Sequence, residues 1–211
     1  MNRLLIATLV GTLLAGCGSS DDPAPVQPTV TLPELAAGVY AVSSGDEASP
    51  AAGKYYVAAD GTALAILNDT KEQAQVLYRR AGKDAWQATP AVKQDTAVRF
   101  LGTNPLPSAA VDSAGLAGSY AVRLASGATA AFTFSGAGDI AAGGSTCKLS
   151  GKASASPLPG TLKLTLNATG CGDLPAAGEG YLVVDADYAP ARFRLVTASG
   201  ATLTDLWAYA E

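Results

Sequence analysis

Gly160-Thr161-Leu162-Lys163-Leu164-Thr165-Leu166-Asn167 alternates apolar and polar residues without a break. A strand turns successive side chains to opposite faces. Leu162, Leu164 and Leu166 therefore face one way, and Lys163, Thr165 and Asn167 the other, the pattern of an antiparallel strand with one wet face. The segments on either side read the same way. Tyr120 to Ala125 and Ala128 to Phe134 flank Ser126-Gly127, and Arg192 to Ala198 and Ala201 to Tyr209 flank Ser199-Gly200. Toward the N-terminus, Lys54 to Ala59 and Thr62 to Leu67 flank Asp60-Gly61, a dipeptide that suits a type I′ hairpin with φ > 0 at both central residues. Ala74 to Arg80 is a further strand, Asp69 to Leu77 has room for a turn of helix at its start, and no window shows a sustained helical period.

Composition agrees. The chain has 211 residues, 23 of them glycine and 12 proline, and only 7% are aromatic, which favours many short strands and tight turns over a helical bundle. Leu35-Ala36-Ala37-Gly38-Val39-Tyr40-Ala41-Val42 matches Leu116-Ala117-Gly118-Ser119-Tyr120-Ala121-Val122 with one inserted residue, and the two Gly-x-Tyr-Ala-Val cores lie 80 residues apart. Either the chain holds two related β units or one strand opening recurs by chance. Gly102 to Ser113, with Pro105 and Pro107, reads as the linker. The expected fold is all-β and antiparallel, with a smaller unit over 35–104 and a meander barrel or sandwich over 114–211.

Residues 1–16 read as an export signal: Arg3, then the apolar run Leu4 to Leu14, too short to span a bilayer core of about 30 Å. The run ends in Leu14-Ala15-Gly16-Cys17, which resembles the bacterial lipobox. Cys17 is then the lipidated first residue of the mature protein, and its acyl chains are the expected membrane contact. Gly18 after the cysteine favours the outer membrane over inner-membrane retention. Gly18 to Pro33, with Pro23, Pro25, Pro28 and Pro33, shows no hydrophobic period and reads as a solvated tether, so that 17–34 forms lipid attachment and spacer.

Lipidation of Cys17 leaves Cys147 and Cys171, which in an oxidising envelope are expected to form a disulfide. Histidine is absent, which removes the usual general base and the commonest transition-metal ligand. The net charge of −4 gives no basic surplus for nucleic acid. No motif calls for a cofactor. Ser145-Thr146-Cys147-Lys148 has Ser-x-x-Lys spacing, but on a strand that spacing puts the two side chains on opposite faces. Gly136-Ala137-Gly138-Asp139 lacks the third glycine of a dinucleotide loop. Asp185 and Asp187, with Arg192 and Arg194 beyond Ala189-Pro190, suit cross-strand ion pairs better than a calcium site. Trp86, Trp207 and Tyr209 are the candidate binding surface, because Leu203, Asp205, Trp207 and Tyr209 share one strand face of mixed polar and aromatic character.

Phe134-Ser135-Gly136-Ala137-Gly138-Asp139-Ile140, Cys147-Lys148-Leu149-Ser150-Gly151, Gly160 to Asn167, Cys171, Gly180-Tyr181-Leu182-Val183-Val184-Asp185 and Arg192-Phe193 together resemble a family of uncharacterised Gram-negative lipoproteins. Gly38-x-Tyr40 and the Asp60-Gly61 hairpin resemble the opening of that family. Val183-Val184 stands where the family has paired tyrosines. The resemblance implies a small meander barrel of the lipocalin or transferrin-binding-lipoprotein sort, and implies no activity or ligand. The expected function is a non-catalytic envelope module, not an enzyme, that binds an envelope protein or small ligand. The alternative is an inhibitor or immunity lipoprotein that neutralises a hydrolase or toxin.

Overall fold

A computed structural model describes residues 27–172 and 174–211. The signal peptide, Cys17 and most of the tether lie outside the described residues. The described chain is all-β and antiparallel, apart from one short parallel pair and two 3₁₀ turns.

The N-terminal half is an open six-stranded sheet. Strands β2 (Gly38–Asp46), β3 (Ser49–Val57), β4 (Ala63–Asn68), β5 (Ala74–Arg80) and β6 (Gln87–Thr89) form a meander, and β8 (Phe100–Leu106) returns to pair with β2. The segment read as a linker from Gly102 therefore continues as strand to Leu106. Pro105 is tolerated because β8 is an edge strand, where a missing N–H leaves no neighbour unpaired. The last residues of the supposed tether are also ordered. β1 (Val30–Thr31) pairs in parallel with β7 (Thr96–Ala97), Thr29 N donates to Asp95 Oδ1 at 2.8 Å, and Val30 and Leu32 are buried. They join Tyr55, Val57, Ala65 and Tyr78 in a core on one face of the sheet.

The C-terminal half closes. Strands β9 (Gly118–Arg123), β10 (Thr129–Phe134), β11 (Asp139–Ala142), β12 (Lys148–Ala155), β13 (Thr161–Thr169), β14 (Ala177–Val183), β15 (Phe193–Ser199) and β16 (Thr202–Ala210) follow one another around an eight-stranded barrel, and β16 pairs with β9. Leu162, Leu164 and Leu166 all point inward and are buried, as the alternation requires. The interior is filled by aromatic rings, with Phe193 packed against Tyr120 at 4.6 Å and Phe134 at 5.9 Å between centroids. Closure needs strongly coiled strands. Gly180 meets that need: a Cβ there would lie 2.0 Å from the Val196 carbonyl oxygen of the neighbouring strand. Cys147 and Cys171 are bonded, 24 residues apart, and join the ends of β12 and β13.

The two Gly-x-Tyr openings do the same local work. The Tyr40 hydroxyl donates to the Ala36 carbonyl and the Tyr120 hydroxyl to the Leu116 carbonyl, each four residues back, and each ring lies beside its glycine. The likeness lies in the strand opening, since one sheet stays open and the other closes.

The hairpin at Asp60-Gly61 differs from the expected type I′ turn. Only Gly61 has positive φ, Gly61 N donates to the Ala58 carbonyl, and Thr62 N donates to Asp60 Oδ1 at 2.8 Å. This is a longer connection in which one glycine takes the left-handed position and the aspartate stays in an ordinary conformation. Gly127 and Gly138 repeat it in the barrel. Asp69 likewise starts a tight turn and no helix, with its carboxylate accepting from the backbone N–H of Lys71 and Gln73.

Candidate functional site

The sheet docks on the outer wall of the barrel. On β14 to β16 the outward residues Tyr181, Val183, Val196, Ala198, Leu203 and Trp207 pack against Val39, Tyr56, Leu64, Ile66 and Leu77 of the sheet. The mixed face of β16 is explained here. Asp205 accepts from Arg194 Nε at 2.7 Å and from Arg194 Nη2 at 2.5 Å, and Arg194 is 1% exposed. The same pair reaches the other unit. Arg194 Nη2 donates to Asn68 Oδ1 at 2.9 Å and to the Glu72 carbonyl at 3.2 Å, while Ala74 N donates to Asp205 Oδ2 at 2.6 Å. The guanidinium also lies 4.8 Å from the Trp207 ring centroid. Burial pulls the Arg194 pKa down, but the hydrogen bond and charge of Asp205 outweigh it and hold the group above its ordinary value.

The sequence-expected binding residues do not form one surface. Trp207 lies in the inter-unit core against Tyr188, and its Nε1 is buried without a hydrogen-bond partner in the described structure. Trp86 lies in the core on the other face of the sheet, beneath the Arg80 guanidinium and 6.1 Å from the Tyr55 ring. Tyr209 stays on the surface at 41% exposure. The Asp185/Asp187 and Arg192/Arg194 pairing expected from spacing is also replaced. Asp185 caps a 3₁₀ turn, Asp187 lies within it, and both bind Lys54 of β3, at 3.0 and 2.6 Å, while Arg192 donates to the Gly115 carbonyl. A reach across units is invisible to local spacing. Ser145 and Lys148 serve structure: the serine hydroxyl bonds Ala131 N and the Cys147 carbonyl, and Lys148 Nζ the Gly143 carbonyl.

The docking leaves a cleft of about 410 Å³ where β2 and β3 of the sheet, residues 107–112 and the end of the barrel meet. Val39, Leu106, Leu116 and Val184 give it an apolar lining, and Tyr56 reaches it from β3. Asp112, Asp185, Asp187 and Arg192 contribute the charge. Residues 107–112 are held against the barrel by the bond from Gly160 N to the Ala109 carbonyl. Burial pushes the Tyr56 phenol well up, aided by the Tyr188 hydroxyl 3.5 Å away, so Tyr56 stays neutral behind the cleft. Burial lowers the Lys54 pKa, but its bonds to Asp187 and Asp185 prevail and raise it, so the ammonium is held charged beside the cleft.

No family model, curated protein or solved structure matches this chain. The site is read from its own chemistry. Among the described residues no cluster of three His, Cys, Asp or Glu side chains is placed to hold a metal ion, and no helix is long and apolar enough to cross a membrane. Asp185 and Asp187 stand on one turn, tied to one lysine. An apolar lining with a few fixed polar groups at its rim suits reversible binding of an amphipathic molecule or side chain. Sequence reading missed the cleft because its walls come from segments up to about 150 residues apart, from Val39 to Arg192.

Proposed function

We infer that this protein is a lipid-anchored module of the bacterial outer membrane that binds an envelope protein or a small amphipathic ligand without chemical turnover, in the cleft between sheet and barrel. The observation that carries the reading is the cleft itself, with Val39, Leu106, Leu116 and Val184 as apolar lining and Asp185, Asp187 and Arg192 at the rim. The filled barrel interior supports it, because the roomy apolar space lies outside the barrel. The sequence Leu14-Ala15-Gly16-Cys17 supports the anchor. β1 and β7 pack on the sheet face away from the barrel, so a tether that ends at Val30 leaves the barrel on the far side of the sheet.

The test uses the full-length protein, recovered from solubilised envelopes in mild detergent. The wild type is expected to carry a defined protein or small molecule, identified by mass spectrometry. Ala110→Trp, which fills the cleft from an exposed linker position, is expected to release it. Identical material bound to both proteins, or none bound to either, refutes the cleft as the binding site. Recovery of one hydrolase at 1:1 that the variant loses makes the binding inhibitory. The anchor is tested separately. Cys17→Ser should move the protein out of the membrane fraction and abolish incorporation of labelled palmitate.

A further inference from the structure

A second concavity lies on the barrel wall, apart from the cleft. It is a groove of about 340 Å³ between β5 of the sheet and strands β12 to β14. The register brings its polar residues together. Lys152 pairs with Thr165, Thr165 with Glu179, Ser154 with Lys163, and Lys163 with Tyr181, so all six point outward on three adjacent strands. Arg79 reaches the groove from the other unit. Three cations and one carboxylate thus line a single concave surface on a chain of net charge −4.

Two of the three cations there hold no ion pair among the described residues. Among the described residues Lys54, Arg80, Lys152 and Arg194 hold ion pairs, and Arg79 and Lys163 do not. Arg79 donates from Nε to Gln87 Oε1, which leaves its terminal nitrogens for another acceptor. Lys152 is committed to Asp139 and the Ala137 carbonyl. Lys163 stands close enough to Asp60 to influence it, but the Asp60 carboxylate is engaged by Thr62 N. The Lys163 ammonium, the Ser154 hydroxyl and the Tyr181 hydroxyl form no intramolecular hydrogen bond among the described residues. Two free cations set beside two free hydroxyls, a half-buried aromatic ring and a lone carboxylate match a ligand with both an anionic group and several hydroxyls. An anion alone has no use for the carboxylate acceptor or the ring. A neutral sugar accepts hydrogen bonds from a guanidinium or an ammonium but leaves both charges uncompensated.

We propose that this groove binds an anionic saccharide, with Arg79 and Lys163 on its phosphate, sulfate or carboxylate group and with Ser154, Glu179 and Tyr181 on its hydroxyls and ring face. The site needs both units, since Arg79 comes from the sheet and the rest from the barrel. It stands whether or not the cleft binds anything.

The probes are dextran sulfate and neutral dextran, each immobilised, with the full-length protein in nonionic detergent. The wild type should be retained by the sulfated resin alone. Arg79→Glu with Lys163→Glu should lose about tenfold in affinity, while Lys83→Glu with Lys93→Glu, the same charge change at two exposed positions elsewhere, should keep wild-type retention. Glucose 6-phosphate should elute the wild type at lower concentration than inorganic phosphate of equal ionic strength. Ser154→Ala with Tyr181→Phe should erase that preference and leave elution by phosphate unchanged. Equal loss in both charge-reversed pairs overturns the site. Equal elution by phosphate and sugar phosphate from the wild type overturns the saccharide and marks a bare anion site.

Discussion

Replacing Asp205 by alanine strands a buried arginine. Arg194 is 1% exposed and gives two of its donors to Asp205, and the same carboxylate also accepts Ala74 N from across the unit interface. In Asp205→Ala the Arg194 Nε–H and the Ala74 N–H lose their acceptor and the guanidinium loses its counter-charge, while Asn68 and the Glu72 carbonyl still accept from Nη2. Removing one partner of a buried pair typically costs about 3–5 kcal/mol, against a net stability of about 5–15 kcal/mol for an ordinary domain. Urea unfolding followed by circular dichroism and tryptophan fluorescence should show that loss. Trp207, stacked on the guanidinium, reports the interface directly. Asp205→Asn, which keeps an acceptor oxygen but no charge, should fall between. The double change Arg194→Met with Asp205→Leu should recover only part of the loss, about 1–2 kcal/mol, because it removes the unpaired buried charge but still leaves Ala74 N–H, Asn68 Oδ1 and the Glu72 carbonyl without their partners. A cost below about 1 kcal/mol for Asp205→Ala, or a double variant as unstable as the single, would refute the claim that this pair clasps the units.

Replacing both Cys147 and Cys171 by alanine should cost about 3.5 kcal/mol in thermal or urea unfolding, from the freed loop between residues 24 apart, and a loss below about 1 kcal/mol would show that the cross-link constrains little. Gly180→Ala should destabilise by about 2–3 kcal/mol, because its Cβ would meet the Val196 carbonyl at 2.0 Å, whereas Gly144→Ala, with nothing within 4 Å, should stay within about 0.5 kcal/mol; equal effects would undo the packing argument. Stability should fall as pH rises from about 10 to about 12. Burial pushes the Tyr55 phenol from 10.0 up to about 12, so over that window the unfolded chain releases a proton that the folded chain retains. A flat urea midpoint between pH 9 and 11.5, with tyrosine ionisation followed by absorbance, would contradict this.

Much of the local structure was legible. The alternation from Gly160 to Asn167 reappears as β13 with its leucines inside, and the bond between Cys147 and Cys171 is the one expected from the sequence. Turns were placed correctly by their glycines but not always typed, since the carboxylate of Asp60 stabilises a longer turn than its dipeptide suggests. The end of β8 was hidden by Pro105 and Pro107, and β1 by the prolines around it, because an edge or strap strand tolerates residues that would break a central one. The candidate site was legible only in fragments. The odd character of the Leu203, Asp205, Trp207 face was visible, yet its partners Asn68 and Ala74 lie more than 120 residues earlier.

What the sequence determined by itself depends on neighbours along the chain: the clearest strands and the side their residues face, the places of the turns, and the two Gly-x-Tyr openings. Alternation says which side chains share a face, but not what covers that face. Phe193 to Thr197 are buried without a break, because one face of β15 looks into the barrel and the other is capped by a sheet from the first half of the chain. The tertiary structure alone decided that one half would close and the other dock against it. That docking created the Arg194–Asp205 clasp, the cleft and the groove, each assembled from residues that only chain folding brings within reach.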